Sequence, residues 1–170
     1  MSYVELPDWK SIVKGKHLIF DTDVLISIME FRAEDLLGIL KKLNVTFTYI
    51  NPVYLEFMNT DSAKLRLARS TLISKHGFEL LPTTNTEIDL ATRIQKSLPL
   101  GLKGRPSATD LYLGGTLAKY ARNGRTFLVT GNLKDYPKPI YTREAIIPLF
   151  NDTDMKGITV IGINMDTLVS

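Results

Sequence analysis

Cysteine is absent from this chain, which excludes disulfide frameworks, thiolate zinc sites and cysteine nucleophiles. Histidine occurs only twice. His17 opens an apolar run, and His76 precedes Gly77, where a cation favours the end of a helix. No uncharged apolar run approaches the length needed to span a bilayer. The opening residues 1–8 are acidic and lack the apolar stretch of a signal peptide. The expectation is a soluble, cytoplasmic protein with no membrane partner. There is no internal repeat and no low-complexity segment.

What is present fits an ordinary folded domain: 44% of residues are hydrophobic and 23% charged. A chain of 170 residues suffices for one domain that buries roughly 70% of its unfolded surface without disulfides or a structural metal. The net charge is only +3, but it is unevenly spread. Residues 61–125 hold eleven Lys and Arg against five acids. Such a stretch either faces phosphates or forms a set of solvated helix faces.

Residues 1–16 read as a lead-in, with a short turn around Trp9 that anchors it on the core, and residues 17–170 as a single domain. A first strand is expected over 17–21. Helical periodicity follows over 23–44, broken near 32–34, with Leu36, Leu37, Leu40 and Leu43 on one face. Residues 45–50 read as a second strand. Asn51-Pro52 signals an N-cap and a first-turn proline for a helix to about 59. Asp61 is expected to cap the next helix, which Gly77 ends. A short strand over 78–81, a helix over 84–97, a loop over 100–106 and a helix over 107–122 follow. Strands over 126–130 and 158–163 complete the pattern. Strands alternating with helices imply a mainly parallel sheet covered on both faces, an α/β fold.

Acidic and amide side chains recur where strands end and helices begin. Asp21 and Asp23 follow the apolar run His17–Phe20, with Asp23 suited to cap the helix. Glu56 lies one turn into the helix after the second strand. Asp110 forms a capping box with Ser107, and the small residues Gly114, Gly115 and Ala118 mark a helix that packs closely. The apolar strand ending at Thr130 offers Asn132 and Asp135, which also suit a plain Gly-Asn turn. Carboxylates converging on one edge repel unless a cation sits between them. Oxygen ligands without His or Cys favour Mg²⁺ or Mn²⁺, and such a site activates water for phosphodiester hydrolysis.

Asp21-Thr-Asp-Val-Leu-Ile, Glu56 after the second strand, Asp110-x-x-Leu-Gly-Gly-Thr-Leu-Ala and Leu-Val-Thr-Gly-Asn132-x-x-Asp135-Tyr resemble the four motifs of PIN-domain ribonucleases, nearest to VapC-type toxins of toxin–antitoxin pairs. The order and spacing cover residues 17–163. The resemblance implies a three-layer α/β/α fold with a mainly parallel central sheet and Mg²⁺- or Mn²⁺-dependent cleavage of single-stranded RNA. It also implies a homodimer and a small antitoxin partner. Carried over by position, Asp21, Glu56 and Asp110 match the metal-binding acids, with Asp21 and Asp110 as direct ligands and Glu56 binding metal or orienting water. Asn132 and Asp135 would act through water or a second metal. Asp23 stands where Asn is common, Thr130 matches a strand-end Thr or Ser, and Gly131 stands where a basic residue is frequent. Lys103 and Arg105, just before Asp110, are candidates for phosphate contact. Two other readings compete. One is a PIN fold kept only for binding RNA or protein. The other is a haloacid-dehalogenase-like phosphatase, whose nucleophile motif Phe20-Asp21-Thr-Asp23 resembles.

Overall fold

Each apolar run of four or five residues is followed by a segment that can cover it, and the elements alternate accordingly. The computed structural model describes residues 8–102, 104–121 and 124–169. Its first half comprises α1 (Trp9–Val13), β1 (His17–Phe20), α2 (Thr22–Glu30), α3 (Glu34–Lys42), β2 (Thr46–Ile50) and α4 (Asn51–Met58). Its second half comprises α5 (Ala63–Lys75), β3 (Glu79–Leu81), α6 (Asn85–Ser97), α7 (Ala108–Tyr120), β4 (Thr126–Thr130), β5 (Tyr141–Phe150) and β6 (Met155–Ile163). The strands form one sheet in the order β3-β2-β1-β4-β6-β5. β1 pairs in parallel with β2 and β4, and β2 with β3, whereas β6 runs antiparallel to β4 and β5.

The crossovers through α2–α3 and α4–α5 step outward from β1 to β2 and β3. The crossover through α6–α7 returns past β1 to β4. Because such connections are right-handed, α2–α5 cover one face of the sheet and α6–α7 the other, the three-layer α/β/α arrangement. Chain direction across the sheet reverses between β1 and β4, so a crevice opens beyond the carboxyl ends of those strands. After His17, β1 is buried throughout. Phe20, Phe47 and Phe78 pack on one another with ring centroids 5.0–5.5 Å apart, which fixes where β1 ends.

The expected break in the first long helix lies where Arg32 takes φ 52°, between α2 and α3. Two caps differ from expectation. Ile50 is still extended and precedes the first turn of α4, so Asn51 is already helical and Pro52 sits within that turn. Ser62, not Asp61, caps α5, because its hydroxyl reaches the Leu65 N–H three residues on. β5 was not anticipated, since Arg143, Glu144 and Pro148 interrupt its alternation. As an edge strand it tolerates a proline and a register shift between Arg143 and Ala145. Its partner β6 therefore starts at Met155, before the expected 158. α1 packs against β5 with Val13 fully buried, and Trp9 packs on the core. No helix among the described residues is long and apolar enough to cross a membrane.

Candidate active site

Asp21 is the first residue beyond β1 and the N-cap of α2. Its backbone is extended, and its Oδ1 accepts the Thr22 N–H at 2.7 Å. The side chain is buried, and Oδ2 accepts from the Thr130 hydroxyl at 2.9 Å, across the gap to the end of β4. Asp110 closes the capping box of α7: its Oδ2 accepts the Ser107 N–H at 2.7 Å, while Ser107 Oγ accepts the Asp110 N–H. One oxygen of each acid faces the same buried hydroxyl. The Tyr136 hydroxyl lies 3.4 Å from Asp21 Oδ2 and 3.3 Å from Asp110 Oδ1.

Glu56 is tied to both of these acids through the threonine beside each. Its Oε2 accepts from Thr22 Oγ1 at 2.8 Å and its Oε1 from Thr109 Oγ1. One carboxylate thus pins the second turn of α4 to the starts of α2 and α7, while Glu56 itself stays exposed. Asn132 donates its side-chain amide to Asp135, and its backbone N–H goes to Thr130 Oγ1 at 3.1 Å.

Asp23 is not the helix cap that its position suggested; Asp21 takes that role. Asp23 instead reaches across to the end of β4, where its Oδ2 accepts the Gly131 N–H at 2.9 Å. A Cβ at residue 131 would overlap that carboxylate oxygen and crowd Lys156 Cε at 3.2 Å, so the close approach requires glycine. Lys156, from β6, bonds the buried Ser27 hydroxyl at 2.5 Å, and its charge opposes the rise in the Asp23 pKa. Lys156 thus sets a positive charge beside Asp23 from another strand.

Burial, then the charges of Asp23 and Asp110, push the Asp21 carboxyl up to about 7, against the pull of the Thr130 and Thr22 bonds. Burial likewise raises Asp23, and burial with the Asp110 and Asp23 charges raises Asp135. Tyr136 is held well above its ordinary value by burial and by Asp21 and Asp110. Among the described residues no three acid or histidine side chains stand ready-made around one ion. Asp21 and Asp110 nonetheless suit a hard divalent cation by donor type and by their unbalanced negative charge. Asp23 Oδ1, buried without a hydrogen-bond partner, adds to that imbalance.

Arg105 is exposed and shares a depression with Gln95, Lys96 and Leu98 at the end of α6. Among the described residues no hydrogen bond joins it to the acids. Lys103 lies outside the described residues. Thr22, Thr109, Tyr136 and Lys156 were not singled out from the sequence. The first three each adjoin an acid that was, whereas Lys156 carries no local signal. No protein-family model, curated protein or solved structure matches the chain.

Proposed function

We propose that the chain is a divalent-cation-dependent endoribonuclease acting on single-stranded RNA, as its likeness to PIN domains implies. The reading is carried by the meeting of Asp21 and Asp110 at one buried hydroxyl on the carboxyl edge of the sheet, with Glu56 bonded to the threonine beside each. Asp21 and Asp110 would hold Mg²⁺ or Mn²⁺, which when bound acidifies water and offsets charge on a phosphodiester. Glu56, exposed yet held by two hydroxyls, would join them as a ligand or take the proton of the attacking water. In hydrolysis the water oxygen bonds to phosphorus as the bond from phosphorus to the bridging ribose oxygen breaks; the water's proton passes to the carboxylate, and the leaving oxygen takes a proton from solvent. Asn132 and Asp135 would act through water, and Thr130 and Asp23 brace the ends of β4 and α2. Arg105, with Lys103 beside it in sequence, would contact phosphates flanking the cleaved bond.

The phosphatase reading needs Asp23 as a free general acid. That side chain is engaged by the Gly131 N–H on one oxygen and buried on the other, so nothing favours it. A homodimer and a small antitoxin rest on the toxin likeness alone; sedimentation equilibrium and co-purification from the native host test them. The purified chain should cleave single-stranded RNA with Mg²⁺ or Mn²⁺, stop on addition of EDTA, and lose cleavage on Asp21→Asn. Cleavage indifferent to that substitution would overturn the mechanism. RNA binding without cleavage in either metal would favour the binding module.

A further inference from the structure

Tyr136 is a buried polar group to which the proposed reaction gives no task. It is 4% exposed and packs edge-on to Tyr141 with ring centroids 5.2 Å apart. A phenylalanine would fill the same space. What the phenol adds is one hydroxyl, placed between Asp21 Oδ2 at 3.4 Å and Asp110 Oδ1 at 3.3 Å. The other oxygen of each acid is already committed, to the Thr22 N–H and the Ser107 N–H respectively, and Asp21 Oδ2 also accepts from the Thr130 hydroxyl at 2.9 Å. The hydroxyl therefore addresses the two oxygens that face each other from different elements, one at the end of β1 and one at the start of α7.

Resting on the cation-dependent reading above, we propose that Tyr136 is a positioning residue, whose single hydroxyl proton, shared between the facing oxygens, keeps Asp110 beside Asp21 as a ligand pair before an ion arrives. Asp21 is held on both oxygens without the phenol, by Thr22 and Thr130. Asp110 Oδ1 has no other hydrogen bond among the described residues, so without Tyr136 it is free to turn away from its like-charged neighbour. A carboxylate oxygen has more than one acceptor site, so a bond from Tyr136 leaves room for a cation on Asp110 Oδ1, while on Asp21 the room lies on Oδ1, which accepts the Thr22 N–H. Groups that orient ligands in this way commonly contribute tenfold or more to metal affinity.

The test compares Mn²⁺ binding to the EDTA-stripped wild-type chain and to Tyr136→Phe, read from the electron paramagnetic resonance of free Mn²⁺. The variant should bind about tenfold more weakly, with an unchanged circular dichroism spectrum. A second measurement needs no variant. The ¹³Cζ resonance of Tyr136 in the wild-type chain should shift on addition of Mg²⁺, while those of the distant Tyr49 and Tyr54 stay in place. Equal or tighter Mn²⁺ binding by the folded variant, or a Tyr136 resonance indifferent to Mg²⁺, overturns the positioning role and leaves the cation site standing. If the wild-type chain binds no Mn²⁺, the cation site fails and the positioning role with it.

Discussion

A carboxyl group enclosed by Thr130, Tyr136 and the charges of two further acids is easier to keep protonated than ionised, and Asp21 rises from 3.8 to about 7. A raised acid pKa means that the folded state binds the proton more tightly than the unfolded chain does. Asp21 therefore takes nothing from stability below about pH 4, where both states are protonated, and progressively more as pH rises toward 7. Asparagine in its place can keep the Thr22 N–H on its oxygen and donate its amide to Thr130 Oγ1. In EDTA, thermal melts from pH 4 to 8 should show Asp21→Asn and wild type nearly equal at the acid end. The variant should lead by several degrees at pH 8, and Mg²⁺ should narrow that gap by stabilising the wild type only. A gap that shrinks with rising pH would contradict the linkage. At this scale the sequence singled out the two acids that meet at Tyr136 but gave the helix cap to Asp23. Asp21 and Asp23 are both suited to cap a helix, and only the approach of β4, through Thr130 and the Gly131 N–H, decides which one does.

The elements that carry these side chains are held by close contacts, and α7 is the clearest case. Gly115 lies against the backbone of α6, where a methyl group would overlap the Glu87 carbonyl oxygen and press on Ala91 N at 3.0 Å. Gly114 is similarly close to the Tyr141 hydroxyl of β5. Backbone cannot move aside as a side chain can, so Gly115→Ala should cost about 2 kcal/mol, lowering Tm by about 4–8 °C. Gly38, inside α3, has nothing within 4 Å of its missing Cβ. There alanine should stabilise by up to about 1 kcal/mol. Paired calorimetry of the two variants checks both signs; a harmless Gly115→Ala would mean that α6 and α7 are less closely packed. This tight helix was legible because Gly114, Gly115 and Ala118 recur near the acid. The break before α3 was legible near 32–34, where the helical pattern lapses. β5 was not: its charged residues and Pro148 match no strand pattern, and its place at the sheet edge, which excuses them, is a property of the whole sheet.

Across the whole molecule the basic excess of residues 61–125 does not gather into one surface among the described residues. Right-handed crossovers put α5 on one face of the sheet and α6–α7 on the other. Much of the charge is also engaged. Lys75 pairs with Glu34 and Lys119 with the buried Glu87, both within 2.8 Å. Arg66, Arg69 and Arg93 donate to the carbonyls of Thr60, Phe57 and Val169. The stretch, which the sequence left open between a phosphate-facing segment and solvated helix faces, is therefore in part tied to the protein's own groups, and the alternation that revealed the fold class could not reveal this, because it says nothing of which charges meet. An RNA strand crossing the crevice should then meet few free cations, with Arg105 foremost. Binding of single-stranded RNA to the non-cleaving Asp21→Asn variant, titrated from low to high salt, should give a log K against log salt slope of about −2. That corresponds to two or three phosphate contacts at about −0.7 each. Arg105→Ala should flatten the slope by about one such contact, whereas Lys75→Ala should leave it alone, because that charge is already paired on α5. A slope beyond about −4 would instead mean that the strand runs along a continuous basic face. The structure divides that face between the two sides of the sheet.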